Sequence, residues 1–149
     1  MGGTLEFSEP TEELKPAWRR LYEGYATFYE RELTDEIAES VWRWIMDPGH
    51  ELEAVLVLDE GHPVGLAHYR RIPNPLRGRE VGWLDDLFVA PEARGGRIGE
   101  KIFGYLREVA AERGWPLIRW VTAEDNDRAR NLYDRVGRAT TWVLYEMET

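Results

Sequence analysis

The segment that decides the fold runs from Trp83 to Gly99 and reads WLDDLFVAPEARGGRIG. Its first part, Trp83 to Val89, is predicted to be a strand, with apolar residues on both sides of the acidic pair Asp85 and Asp86. Pro91 ends this strand because proline has no N–H to donate to a sheet. A glycine-rich turn then enters a helix. The apolar face of that helix is Ile98, Ile102, Leu106 and Val109.

A strand that passes through a glycine-rich turn into a helix N-terminus is suited to bind an anion. The first N–H groups of a helix have no partner within it, and the helix dipole is positive there. Gly99 is followed by Glu100 rather than by Lys and Ser or Thr, so this is not a P-loop. The glycines at 95, 96 and 99 also lack the dinucleotide spacing. We expect a phosphate or pyrophosphate here.

The length and composition indicate one globular domain, residues 1–149, with 43% apolar residues. The chain has no cysteine, which excludes disulfides and thiolate metal sites and is compatible with the cytoplasm. The histidines at 50, 62 and 68 lack the helical spacing of metal ligands, so we expect no metal. The longest apolar run, Ala54 to Leu58, is too short to span a bilayer, and no signal peptide is apparent.

The net charge is −9, which opposes binding to nucleic acid and favours a cationic small molecule. A negative surface also serves solubility, so the charge alone does not identify a substrate. We therefore expect a soluble protein with no nucleic-acid or membrane partner.

The order of predicted elements is β-α-α-β-β-β-α-β-α-β, an α/β (α+β) arrangement with a central mixed, mostly antiparallel sheet and helices on both faces. Thr34 is a predicted N-cap. Tyr22, Tyr25 and Tyr29 belong to an aromatic stripe that either fills the core or lines a pocket for an amine. The expected strands are Thr4–Phe7, Glu53–Asp59, Val64–Ile72, Trp83–Val89, Leu117–Thr122 and Ala139–Met147, and the expected helices begin near Pro16, Thr34, Gly96 and Asn126.

A second motif, NDRARNLY, begins at Asn126. Asn126, Ala129 and Tyr133 lie three and four residues apart, hence on one face of a helix. This motif resembles the Asn-x-x-Ala-x-x-Leu/Phe-Tyr pattern of the GNAT superfamily of acyl-CoA-dependent N-acetyltransferases. The first motif is similar to that family's Gln/Arg-x-x-Gly-x-Gly/Ala signature. Arg97 departs from it by standing where a glycine is usual. Since the loop acts through backbone N–H groups, Arg97 can still donate, provided that its φ is ordinary.

The resemblance implies acetyl-CoA as co-substrate, held at the loop, along the preceding strand and by the second motif. Tyr133 would then donate a proton to the departing thiolate. Strand residues would pair with the pantetheine amides in the manner of an added strand. The residues implied for acetyl-CoA are Leu87, Phe88, Val89, Arg94, Gly95, Gly96, Arg97, Ile98, Gly99, Asn126 and Ala129.

A base is needed to remove a proton from the acceptor ammonium group. The Asp85-Asp86 pair is similar to the acidic pair before Phe-Phe-Val in polyamine acetyltransferases. Because successive strand residues point to opposite faces, only one of the two faces the cleft unless a bulge intervenes. Asp85 is our choice of base, with Asp86 as the alternative and His68 expected nearly opposite Asp85. Tyr25, Tyr29, His68 and Asp86 are candidates for contact with the substrate.

The fold resemblance covers nearly the whole chain, with two departures. The family usually has two strands after its last helix, whereas this chain has residues for about one, so we expect a homodimer whose partner completes the sheet. Arg138 stands where an aromatic residue is common. The expected activity is direct acetyl transfer to a primary amine such as a polyamine or amino acid. Alternatives are a protein lysine or N-terminal acceptor, a non-catalytic acyl-CoA sensor, and an unrelated nucleotide-phosphate binder.

Overall fold

Three long antiparallel strands form the middle of the structure, which is a computed structural model describing residues 4–149. They are β2 (Leu52–Asp59), β3 (His62–Asn74) and β4 (Arg79–Val89). The β2–β3 turn consists of Glu60 and Gly61, both with positive φ (51° and 83°). Two such residues match the right-handed twist of a tight hairpin. The strands are longer than predicted because both hairpins continue to their turns.

Two short strands complete a five-stranded sheet in the order β1-β2-β3-β4-β5. β1 (Leu5–Ser8) is antiparallel to β2, whereas β5 (Ile118–Arg119) is parallel to β4. β5 pairs with β4 only at Gly82 and Trp83. Beyond Trp83, β4 has no described partner on that side, so an open edge leads toward its C-terminal end.

One face of the sheet is covered by α1 (Lys15–Phe28) and α2 (Asp35–Met46). Trp18 packs there with Leu56 and Leu66 in a buried apolar cluster. The predicted cap of α2 is confirmed, since the Thr34 side chain accepts from the N–H of Ile37 at 3.2 Å. The amphipathic stripe of α1 therefore faces the sheet, which positions the aromatic residues near its end.

The opposite face is covered by α3 (Ile98–Arg113), against which α4 (Asp127–Val136) packs. Ile102 and Leu106 of α3 are fully buried in a second apolar cluster with Val55 and Val57. The predicted mixed sheet with helices on both faces is thus confirmed. Within residues 4–149, no helix has the length and apolarity needed to cross a membrane.

The predicted final strand, Ala139–Met147, is wrong as a description of one chain. No regular element follows α4 in the described range, and the side chains of Trp142 and Tyr145 are 81% and 88% exposed. A strand needs a partner for its backbone groups, and this segment has none within its own chain. β5 is likewise shorter than the predicted Leu117–Thr122, since it pairs at only two positions.

Candidate active site

A cleft of about 380 Å³ opens between the free edge of β4, the loop before α3, and α4. The family resemblance implied eleven residues for binding acetyl-CoA, and all of them except Gly96 line this cleft. Tyr25, Tyr29 and Tyr133 also line it. The two sequence motifs, separated by a helix and a strand, therefore meet in one cleft. Additional lining residues that the sequence did not indicate are Phe28, Ala93, Glu100, Arg128, Leu132 and Arg135.

The N-terminus of α3 presents open backbone donors to this cleft. α2 and α4 are each capped by a side chain, Thr34 and Asn126, whereas α3 has no side-chain cap. The first intrahelical bond of α3 runs from the N–H of Lys101 to Arg97, which leaves the preceding N–H groups without helical acceptors. Three consecutive donors at a positive helix end can hold a phosphate.

Arg97 immediately precedes α3 and has φ 61° and ψ 24°. The condition of an ordinary φ, on which backbone donation by Arg97 was predicted, is therefore not met. The left-handed conformation suits glycine, because a Cβ approaches the following carbonyl oxygen and costs about 1–2 kcal/mol. The turn keeps the geometry that a glycine would favour, and Arg97 adopts it under strain. Its guanidinium is exposed and lies 3.9 Å from the Glu100 carboxylate.

The side chain of Arg94 does not extend into the loop. Its Nε donates to the carbonyl oxygen of Val89 at 3.2 Å. Its guanidinium lies 6.0 Å from the ring centre of Phe28 and 5.7 Å from that of Phe88. Arg94 therefore ties the glycine-rich turn to the end of β4 and to α1, which fixes the mouth of the cleft.

The free edge of β4 faces the second motif across the cleft. Leu87, Phe88 and Val89 line one side, and Asn126 and Ala129 line the other. The Asn126 side-chain oxygen caps α4 by accepting from the N–H of Ala129 at 3.3 Å, which leaves its amide N–H groups for a ligand. An extended molecule with amide groups could add to this edge as a strand would.

Tyr133 is held by aromatic neighbours at the inner end of the cleft. Its ring meets those of Trp120 and Phe103 edge-on, with centres 5.6 and 5.9 Å apart. Burial raises the pKa of Tyr133 to about 12, and the nearby Tyr29 hydroxyl adds to the rise. The phenol is therefore protonated at neutral pH and can donate a proton.

A β-bulge changes the expected geometry of the acidic pair. His68 pairs with Asp86 and Tyr69 with Leu84, so Asp85 is an extra residue without a partner on β3. Leu84 and Leu87 both pack in the cluster beneath α3. Both aspartates consequently lie off that face and toward α1, as a bulge permits. The expected position of His68, nearly opposite Asp85, is shifted by one residue to Asp86.

The two carboxylates have different partners. Asp85 receives two bonds from Arg70, Nε to Oδ2 at 2.9 Å and Nη2 to Oδ1 at 3.2 Å. Asp86 Oδ2 lies 2.8 Å from His68 Nδ1. Both oxygens of Asp85 are thus engaged by a cation, whereas Asp86 is hydrogen-bonded by two neutral groups, the His68 imidazole and the Tyr25 hydroxyl.

Tyrosines from α1 connect the acidic pair to the cleft. The pKa of Tyr25 is raised well above its ordinary range by burial and by the Asp86 charge. The pKa of Tyr22 is raised to about 12, chiefly by burial and further by the negative charges of Asp86 and Asp85. Asp85, Asp86 and His68 do not line the cleft themselves, and Tyr25 forms the boundary between the two regions.

The sequence did not predict two residues that bond to this region, Trp18 to His68 and Arg70 to Asp85. The position of Trp18 in an amphipathic helix predicts a core residue. Its hydrogen bond to His68, fifty positions away, cannot be predicted from the neighbouring sequence. Arg70 lies on a strand that the sequence identified without assigning its side chain. Among residues 4–149, no three His, Asp or Glu side chains are grouped so as to hold a metal ion.

Comparison with known families gives a match over most of the chain. The model of the acetyltransferase (GNAT) family matches residues 18–137. The D-amino-acid N-acetyltransferase of Saccharomyces cerevisiae is 33% identical over 140 residues, which cover 93% of this chain and 86% of the yeast protein. The thialysine N-epsilon-acetyltransferase of Bos taurus is 34% identical over 109 residues, 66% of this chain and 64% of that protein.

Solved structures share the fold at lower sequence identity. An aminoglycoside N-acetyltransferase in complex with CoA superposes with a TM-score of 0.84 at 14% identity, covering 99% of this chain and 97% of that one. A ribosomal-protein-alanine N-acetyltransferase from Brucella melitensis gives a TM-score of 0.78 at 21% identity. The superposition covers 98% of this chain and 100% of that one.

Proposed function

The chain belongs to the GNAT acetyltransferase family and is an N-acetyltransferase, and we propose that it transfers the acetyl group of acetyl-CoA directly to a small primary amine in a ternary complex. The observation that carries the proposal is the row of tyrosines, Tyr133, Tyr29 and Tyr25, that leads from the cleft to Asp86. This row joins a proton donor to a carboxylate that can accept a proton.

The cleft fits acetyl-CoA in its donors and its shape. The uncapped N–H groups at the start of α3 suit the pyrophosphate, and the free edge of β4 suits the pantetheine amides. Asn126 and Ala129 face that edge from α4. The thioester would then lie near Tyr133, where the arm ends.

Asp86 is the base that we propose, ahead of Asp85. The hydrogen-bond partners of Asp86, His68 and Tyr25, are neutral, so Asp86 can take a proton from the bound ammonium group, directly or through one water. Both oxygens of Asp85 are instead engaged by the cationic Arg70. The freed amine nitrogen forms the new C–N bond as the C–S bond breaks. Tyr133 gives its proton to the sulfur, and the second proton that the nitrogen loses as the amide forms returns to the Tyr133 oxygen through water. The net result is one proton from the ammonium group held by Asp86.

Tyr25, Tyr29, Asp85 and Asp86 form the region that we propose for the acceptor amine, here called the acceptor region. This region suits a small amine that bears a positive charge. Aromatic faces of Tyr25 and Tyr29 can attract an ammonium group, and Asp85 and Asp86 outweigh the charge of Arg70. The yeast and bovine relatives are named for D-amino acids and thialysine. We therefore put amino acids with a primary amine first among acceptors and polyamines second.

The test begins with calorimetric titration of the protein with acetyl-CoA, using ATP as the control. Binding of acetyl-CoA alone supports the cofactor, and its absence would contradict the proposal. Thiol release is then followed with thialysine, D- and L-amino acids, polyamines and a lysine peptide. The chain has no cysteine to contribute background thiol. Turnover of the peptide alone would indicate a protein acceptor, and binding without any turnover would indicate an acyl-CoA sensor.

A homodimer is the assembly that we propose. Residues 139–149 form no regular structure in one chain, and Trp142, Val143, Leu144 and Tyr145 are exposed. Their sequence is β-rich, and β5 is an edge strand of the described sheet. A second copy of the chain supplies the matching edge, and reciprocal pairing would bury both segments.

A further inference from the structure

Apart from tyrosine and tryptophan, His68 is the one polar or charged residue that is buried among the described residues, at 1% exposure. Both of its ring nitrogens are bonded. Trp18 Nε1 donates to His68 Nε2 at 2.9 Å, and His68 Nδ1 lies 2.8 Å from Asp86 Oδ2. Trp18 itself is fully buried in α1. The three side chains are therefore joined in series by hydrogen bonds, from Trp18 in the core through His68 to Asp86.

The chemistry of the indole determines how the imidazole is protonated. An indole N–H can only donate a hydrogen bond, so His68 Nε2 must accept with its lone pair. The ring proton is therefore on Nδ1, from which it is donated to Asp86 Oδ2. A second proton on Nε2 would face the Trp18 N–H, and it could enter only if that bond broke.

We propose that Trp18 is a positioning residue that locks His68 in the Nδ1–H tautomer and so makes Asp86 the end of the proton path. This inference rests on the proposed function, in which Asp86 is the base. With Nε2 occupied, His68 cannot take up the proton that Asp86 receives, nor become an imidazolium that would weaken Asp86 as a base. The lock therefore keeps the ring beside Asp86 neutral for as long as the Trp18 bond holds.

The other groups around His68 do not replace this lock. The Tyr22 ring meets the imidazole edge-on, with centres 4.7 Å apart, and Tyr25 faces Asp86 from the same helix. The raised pKa of each tyrosine keeps it neutral. Arg70 on β3 is paired with Asp85 on β4. From β2, the residue paired with His68 is Ala54, which is apolar.

The remaining nearby indole belongs to Trp42 of α2, and it supplies a matched control. The rings of Trp18 and Trp42 lie 5.0 Å apart, and both residues are buried. Trp42 Nε1, however, donates to Glu12 Oε1 at 3.3 Å rather than to His68. W18F and W42F therefore each remove an indole from the same core, and only W18F releases His68 Nε2.

The test compares kcat/KM of W18F and W42F with that of the wild type at about pH 8 and about pH 6. In W18F the imidazole can gain a second proton in the range where histidine ordinarily titrates, so the ratio of W18F to wild type is expected to fall about three- to tenfold over that interval. The ratio for W42F is expected to stay constant. A constant ratio for W18F would overturn the proposal.

H68N identifies the group responsible for the fall. An asparagine amide can still donate to Asp86, but it does not titrate in this range. The double variant W18F/H68N, compared with H68N, is expected to lose the pH-dependent fall. If the fall persists in the double variant, its cause is packing around Trp18, and the proposal is wrong.

A spectroscopic measurement keeps the inference testable if W18F does not fold or if no acceptor is found. Nitrogen-15 NMR of wild-type imidazole groups distinguishes a protonated from an unprotonated Nε2 without any activity. The lock predicts that Nε2 of His68 stays unprotonated between about pH 6 and 8. A proton on Nε2 at about pH 7 would overturn it. Failure of acetyl transfer alone would instead overturn the proposed function.

Discussion

Asp85 and Asp86 are consecutive in the sequence, yet both carboxylates lie on the side of the sheet that faces α1. The bulge at Asp85 produces this arrangement, because Leu84 and Leu87 on either side of the pair both pack beneath α3. The two acids nevertheless have different partners, Arg70 for Asp85 and His68 for Asp86. Adjacent positions on β4 therefore hold a carboxylate paired with an arginine and a carboxylate hydrogen-bonded by neutral groups.

Substitution of the two aspartates is expected to give different results. D86N removes the proposed base, so we expect kcat to fall about 10²-fold or more. D85N leaves Arg70 without its carboxylate, and because both side chains are partly exposed, we expect a loss of about 1 kcal/mol or less of stability. Its kcat should fall less than that of D86N. Steady-state kinetics measures kcat, and thermal unfolding measures stability. A larger loss of kcat in D85N than in D86N would indicate that Asp85 is the base.

Replacing Tyr133 with phenylalanine should separate catalysis from cofactor binding. Y133F removes the proton donor while the aromatic contacts with Trp120 and Phe103 can persist, so we expect kcat to fall about 10²-fold and the Kd for acetyl-CoA to change little. Kinetics and calorimetry on the same preparation measure the two effects. Equal activity of Y133F and wild type would assign the proton donor elsewhere.

The raised tyrosine pKa values predict loss of stability in alkali. Tyr22 and Tyr133 have pKa values of about 12 in the folded protein, and those of Tyr25 and Tyr69 are also raised, each chiefly by burial. Above about pH 10 the unfolded chain loses tyrosine protons that the folded protein keeps, so stability falls as pH rises.

Thermal unfolding monitored by circular dichroism should show this as a Tm that falls between about pH 9 and 11. Y69F removes one of the four hydroxyl groups and should make the fall less steep. A Tm that rises over this interval, or an equal slope in Y69F, would contradict the assignment.

The local parts of the site could be predicted from sequence, because each depends on neighbours along the chain. Thr34 caps α2, and the glycine-rich turn enters α3, for reasons contained within a few residues. The bulge depends instead on the register between two strands, and the Trp18–His68 bond joins residues on different elements. Such features arise from tertiary packing, which periodicity and motif spacing do not encode.

The φ of Arg97 is a further feature that the residue type did not indicate. An arginine rarely has a positive φ, and the prediction that Arg97 donates from its backbone carried the condition of an ordinary φ. This conformation occurs where the glycine-rich turn that follows Pro91–Ala93 enters α3. Here the family pattern, which has glycine at this position, was a better guide to the backbone than the residue itself.

Replacing Arg97 with glycine should therefore stabilise the protein relative to a matched alanine variant. R97G and R97A both remove the guanidinium, but only R97G removes the Cβ that strains the left-handed conformation. Relief of the backbone strain stabilises R97G by about 1–2 kcal/mol, and the greater entropy of glycine in the unfolded chain partly offsets this gain. We therefore expect the free energy of unfolding of R97G to be about 1 kcal/mol larger than that of R97A. Urea unfolding measures the difference, and equal stability would show that the position is not strained.

Removal of the segment after Arg138 should convert the proposed dimer into a monomer. We expect the full chain of 17.4 kDa to sediment at twice its mass at micromolar concentration, and a chain ending at Arg138 to sediment as one. V143P tests the same contact through the backbone, since proline removes a ladder N–H and should also dissociate the dimer. T149P, at the chain end, is the control and should remain dimeric. A single-chain mass for the unmodified protein would mean that the exposed Trp142 and Tyr145 have another role.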